Sequence, residues 1–212
     1  MFGLQVSAST LLAFAAVALN VVLGNSIPHE SRSELTTRQT NPPPTLVPAT
    51  WITTTNGLKS PAASSAYRVT IQPTVTLPTV NISVAISVDN AYNLYFNGTL
   101  IGSGLDWTTP QQWNILNVNG AGPFVFVILA TNYNAPVAGN PMAAIAGFQF
   151  INAGGIGFTS FTGSEWKAIT PVPIGFEQAD FDDSAWPDAF LIGPDGVAPW
   201  GLLPTPIDSS LC

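Results

Sequence analysis

Any chemistry in this sequence has to be done with carboxylates, amides, hydroxyls and aromatic rings. The single histidine, His29, lies in a polar stretch near the N-terminus, and the single cysteine, Cys212, is the last residue. From Trp51 onward there is no imidazole and no internal thiol. This excludes nucleophilic triads built on His or Cys and zinc-type centres that need nitrogen or sulfur ligands. A glycosidase needs two carboxyl groups facing each other across a cleft. Asp106, Glu165 and Glu177 are the nominal candidates, but no spacing in the sequence sets any two of them opposite one another. Calcium asks only for oxygens, and Asp180, Asp182 and Asp183 lie close together. The stretch Asp180-Phe181-Asp182-Asp183-Ser184 lacks the glycine of an EF-hand loop, and Leu191 stands where its last glutamate would be. It reads as a turn-forming acidic run, and no cofactor is expected.

Sugar recognition needs less machinery: an aromatic ring against the C–H face of the sugar, with amides and carboxylates for its hydroxyls. Two short stretches have that make-up. Asp106-Trp107 offers a carboxylate beside an indole, and Asn132-Tyr133-Asn134 offers a phenol ring between two amides. Trp51 and Trp113 stand at strand starts and are expected in the core.

The composition limits the partners. Charged residues make up 8% of the chain and the net charge is -7. Only Lys59, Arg68 and Lys167 are basic from Trp51 onward. Binding to nucleic acid needs clustered cations, so neither it nor an anionic membrane surface is an expected partner. Most of the acids fall between Glu165 and Asp195, as on an exposed acidic edge.

Leu11 to Leu23 is an apolar run too short for a comfortable membrane span. It is expected to be the core of a signal peptide over residues 1–24, cleaved after Gly24, which makes the protein secreted and extracellular. Residues 25–50 read as a disordered pro-like segment with a proline-rich linker (Asn41 to Pro48), and Arg38 is a candidate processing site. A β-domain over residues 51–204 and a tail over 205–212 follow, with either a monomer or a Cys212-linked dimer. The domain of roughly 160 residues is large enough to bury its own core without a disulfide.

Period-two patterning dominates that domain. Val80, Ile82, Val84, Ile86 and Val88 alternate with small residues, predicting a half-buried strand with a small polar outer face. Tyr92 to Phe96, then Asn97-Gly98, then Thr99 to Ile101 predict a hairpin closed by a type I′ turn. Phe124 to Ala130 is apolar almost throughout, as in a central strand covered on both faces. Tyr67 to Ile71, Trp113 to Val118 and Met142 to Ile151 supply further strands. Glycine and proline clusters punctuate the rest, so the fold class is all-β, a β-sandwich of the jelly-roll kind. Asn81-Ile82-Ser83 and Asn97-Gly98-Thr99 are glycosylation sequons.

Several segments recur in a recognisable order: Val88-Asp89-Asn90-Ala91-Tyr92, Leu94-Tyr95-Phe96-Asn97-Gly98, Ile128-Leu129-Ala130-Thr131-Asn132, Ala146-Gly147-Phe148, Trp166-Lys167-Ala168 and Asp182-Asp183-Ser184-Ala185-Trp186. From Trp51 to about Trp200 the chain resembles the galactose-binding-domain-like jelly roll that accompanies glycoside hydrolases such as rhamnosidases, and in particular its secreted stand-alone fungal forms. The resemblance implies a lectin-like module whose ligand contacts lie in the loops at one end of the sandwich. Asp89 and Asn90 are expected to cap the turn into the hairpin through nearby backbone amides, and Trp186 to fill the core beside a tight turn. The reading is therefore a secreted, non-catalytic binder of a glycan or polysaccharide. The alternatives are an extracellular structural or interaction module and a carboxylate-only hydrolase.

Overall fold

The computed structural model describes residues 44–54, 63–73, 76–133 and 140–210. The leader, His29, Arg38, Lys59, Asn134 and Cys212 lie outside the described residues, and so do the expectations attached to them.

Twelve strands follow in chain order: β1 (Thr50–Thr53), β2 (Ser64–Ile71), β3 (Thr79–Asp89), β4 (Ala91–Phe96), β5 (Thr99–Gly104), β6 (Gln111–Asn119), β7 (Phe124–Thr131), β8 (Ala143–Ile151), β9 (Gly157–Phe161), β10 (Lys167–Ile169), β11 (Phe190–Pro194) and β12 (Ile207–Asp208). No helix occurs among the described residues. One sheet runs β11-β1-β8-β3-β6-β12, with β9 also paired to β8; the other runs β10-β2-β7-β4-β5. The neighbours are antiparallel except β12 beside β6.

The alternation read in β3 sends Val80, Ile82, Val84, Ile86 and Val88 into the space between the sheets. There they meet Phe124, Phe126, Phe148 and Phe150 from β7 and β8. These rings pack at offset or tilted angles, with Phe126 and Phe148 centroids 4.6 Å apart, the arrangement aromatic quadrupoles favour. Strand β7, at the middle of its sheet, is buried along nearly its whole length. The Asn97-Gly98 turn has φ values of 47° and 85°, the left-handed pair a type I′ turn needs. Asn97 does more than tolerate that geometry, because its Oδ1 accepts from the Val125 amide at 2.9 Å.

The outer face of β3 differs from expectation. Ser83, Ala85 and Ser87 are buried, not half-exposed, because chain from both ends of the domain covers this face of the sheet. Leu46 and Ala49 arrive from before β1, and Trp200 and Leu203 from after β11. They form a second apolar cluster with Trp51, Ala85, Ala143 and Ile145. Trp51 and Trp200 stack at 4.4 Å and 17°. Packing and strand pairing therefore extend past both 51 and 204, since β12 also pairs with β6.

The other sheet is covered by a different device. Arg68 points outward from β2 yet is only 2% exposed. Its Nε donates to Asp183 at 3.1 Å, and its two Nη atoms donate to the carbonyls of Phe176, Gln178, Ala179 and Phe181. All five of its donors are used, which fixes the 176–183 segment onto the sheet. The Asp182-Asp183-Ser184-Ala185-Trp186 motif closes this cover. Asp182 accepts from the Ser184 amide, and the Trp186 amide donates to the Asp183 carbonyl. The Trp186 ring is buried, as expected, and packs edge-on against Phe181 beside the turn, apart from the two apolar clusters.

Candidate functional site

Strand register gathers the candidate loops at one end of the sandwich. Ala91 and Ser64 both lie opposite Thr131, and Gly104 lies opposite Tyr92. The crossover from β3 to β4, the start of the β7–β8 connection and the β5–β6 loop therefore emerge at the same end. In the other sheet Asp89 pairs with Ala143, which brings the start of β8 to that end too.

A hydrogen-bonded chain runs across it. The Trp200 indole donates to Asp89 Oδ2 at 2.9 Å, and Asn90 Nδ2 donates to Asp89 Oδ1 at 2.6 Å. Asn90 Oδ1 in turn accepts from the Tyr133 amide at 2.8 Å, and the Asn90 amide donates to the Thr131 carbonyl. Asp89 and Asn90 thus do not cap their own turn, as expected from the sequence. They bridge to the β7–β8 connection and to the C-terminal segment, and only Asn90's backbone bond is with a strand neighbour. Burial pushes the Asp89 carboxyl above the usual carboxylate range, and the bonds from Trp200 and Asn90 pull part of the way back.

Asn132 is 3% exposed. Its Oδ1 accepts from Asn140 Nδ2 at 2.7 Å, and the same Asn140 Nδ2 also donates to the Tyr133 carbonyl at 2.7 Å. The Asn132 amide donates to the Ala63 carbonyl. This side chain therefore shapes the loop from inside it. Tyr133 is the member that faces solvent, 45% exposed, with its backbone held on both sides by Asn90 and Asn140.

Asp106 is exposed and occupied with its own turn. It accepts from the Thr108 amide and hydroxyl and from the Thr109 hydroxyl. The Thr108 bonds hold its carboxyl below the usual range. Trp107 packs partly buried against the second apolar cluster, and its carbonyl accepts from Ser87 Oγ at 2.7 Å. Of the proposed rings, Tyr133 is the open one and Trp107 the anchored one. Residues the sequence reading gave a purely structural role, Asp89 and Asn90, turn out to frame Tyr133. Asn140 and Trp200 also hold this end together, and no local sequence pattern marks them.

The three nominal catalytic carboxylates stand on separate elements. Asp106 is at the loop end, whereas Glu177 sits in the 176–183 cover, whose Gln178 reaches the Asn97-Gly98 turn at the other end of β5. Glu165 lies between β9 and β10. Of the acids considered for calcium, Asp183 is paired with Arg68 and Asp182 serves its turn. Among the described residues no group of three or more His, Cys, Asp or Glu side chains is placed to hold a metal ion, and no helix is long and apolar enough to cross a membrane.

The solved structures that this chain resembles are consistent with the galactose-binding-domain-like β-sandwich that its motifs resemble. No protein-family model matches the chain. It is similar to a lectin from Pleurotus ostreatus, solved in complex with GalNAc, at 35% identity and a TM-score of 0.66 over 77% of this chain and 48% of that one. It is also 29% identical, over 167 residues, to an α-L-rhamnosidase of Streptomyces avermitilis, of which it covers 16%. The structure of that enzyme complexed with L-rhamnose superposes with a TM-score of 0.64. The chain thus spans about half the length of the lectin and a small part of the rhamnosidase.

Proposed function

We propose that this chain is a secreted, non-catalytic, lectin-like jelly roll that binds glycans through the loop end built on Asp89, Asn90, Asn132 and Tyr133. The observation that carries the reading is Tyr133: an exposed aromatic ring whose backbone is clamped by two asparagine side chains. A backbone fixed in advance leaves only the ring's own torsions to be ordered on meeting a sugar face. The likeness to a lectin supports the ligand class. The separation of Asp106, Glu165 and Glu177 supports binding over hydrolysis. The apolar leader supports secretion, and Asn81 and Asn97 are its proposed glycosylation sites. Asn81 Oδ1 accepts from the Asn117 amide, which leaves Nδ2 for a glycan.

The test is a glycan array and an insoluble-polysaccharide pull-down with secreted protein, competed by free GalNAc and by L-rhamnose. Competable binding that falls at least tenfold in Tyr133→Ala, with Tm kept within about 2 °C, is the expected result. A folded protein that binds no glycan, or a Tyr133→Ala variant with unchanged affinity, overturns the site.

A further inference from the structure

At the other end of the sandwich the two sheets part along one side and leave a groove of 220 Å³. Val69 and Ile71 of β2 form its floor with Phe158 of β9, and Thr70, Gln72, Thr159, Ser160 and Glu165 supply hydroxyls, an amide and a carboxylate around it. Two features of the topology keep it open. Strand β10 pairs with β2 only from Ala66 to Arg68, so beyond Arg68 that edge of β2 has no strand beside it among the described residues. Strand β9 is likewise outermost, paired with β8 alone. Phe158 is held rigid by Phe150, stacked at 4.3 Å and 9°, so the apolar wall does not have to be ordered when a ligand arrives.

The lining selects the ligand class. Among the described residues the groove's lining has no cation, so phosphate, sulfate and uronate groups find no counter-charge there. It has no fully apolar enclosure for a lipid chain. Hydroxyls, one amide and one carboxylate around an aromatic wall match the alternating O–H and C–H faces of a neutral pyranose, and the volume is of the order of one ring. We infer that this groove between β2 and β9 is a second saccharide site, which makes the single domain bivalent. The inference rests on the saccharide-binding reading above and adds valence to it. Along β2, from Ser64 at the loop end to Ile71 at the groove, seven residue steps give a separation of about 23 Å. Two sites so far apart, at opposite ends, cannot serve one short oligosaccharide, but they can join two chains of a polysaccharide.

The experiment is calorimetry and amide chemical-shift mapping with GalNAc and L-rhamnose as probes, on the wild type and on Thr70→Trp, Glu165→Gln and Tyr133→Ala. Thr70 lines the groove and is exposed on the outer face of β2 that it shares with Arg68, so the indole is expected to cover the groove's rim from that side without entering the core. For the sugar that binds, the wild type is expected to take up two molecules per chain. Thr70→Trp should lower that to one and erase the shifts at residues 69–72 and 158–160. Glu165→Gln should weaken only the groove, about tenfold, and Tyr133→Ala should leave the groove as the single remaining site. A wild type with one site and no shifts along β2 and β9, or a Thr70→Trp variant with unchanged stoichiometry, overturns the inference while leaving the loop-end reading standing. Unchanged binding in Tyr133→Ala together with loss in Thr70→Trp does the reverse. Absence of binding by either probe in the folded wild type overturns both.

Discussion

Among the described residues each sheet of this sandwich carries one buried charged group on its outer face, and the two are treated in opposite ways. Arg68 has a carboxylate partner and spends its other donors on four carbonyls of one loop. Asp89 has no cation partner among the described residues and is held by two neutral donors, the Trp200 indole and the Asn90 amide. The saturated group can only staple. The one held by neutral donors sits at the loop end, joined through Asn90 to the clamped tyrosine. A desolvated carboxyl beside an exposed ring is the kind of perturbed setting that functional sites use, which is why the Asp89 end and not the Arg68 end is the proposed binding surface.

The comparison breaks most visibly at Arg68. Arg68→Ala leaves Asp183 and four carbonyls without their donor and should cost about 3–5 kcal/mol, measured by urea unfolding, while the fraction still folded keeps its sugar affinity. A loss of affinity without a loss of stability would reverse the roles assigned to the two ends. Trp200→Phe keeps most of the stack on Trp51 but removes one donor from the buried carboxyl. It should cost about 1–3 kcal/mol, and here affinity should fall along with stability.

The pH dependence sharpens the contrast further. Because the folded-state pKa of Asp89 lies above its unfolded value, the folded protein holds this proton more tightly. The resulting stability is complete below the unfolded pKa and is lost as pH rises through the folded one. Differences in Tm between wild type and Asp89→Asn, followed from pH 3 upward, should therefore shift in favour of the asparagine variant as pH rises. A flat difference would mean that the carboxyl is not desolvated. The smallest effect is expected at Asp106, whose lowered pKa has the opposite sign, its stability being lost as pH falls through the folded value. Asp106→Asn should change neutral-pH stability by no more than about 0.5 kcal/mol.

What the sequence made legible was what lies close together in it. The alternation of β3 and the Asn97-Gly98 hairpin follow from local sterics and period, and the structure has both. The burial of Ser83 and Ser87 was not legible, because their cover comes from irregular, proline-rich chain such as Leu203 and Leu46, which has no period to read. Long-range partners explain the rest. Asp89 meets Trp200 and Asn90 meets Tyr133 across large sequence separations, so a local reading could only give them a local capping role. In sequence, Tyr133 and Asn132 are equal members of one tripeptide. Only the fold shows that one faces solvent while the other is buried.

The stacked pair Trp51 and Trp200 has a spectroscopic consequence. Two indoles 4.4 Å apart and nearly parallel couple their transition dipoles, so the folded protein should show an exciton couplet in its circular dichroism that neither ring gives alone. Trp200 is also the donor to Asp89, so this optical signal is wired to the loop end. It gives a label-free reporter of whether that end is assembled.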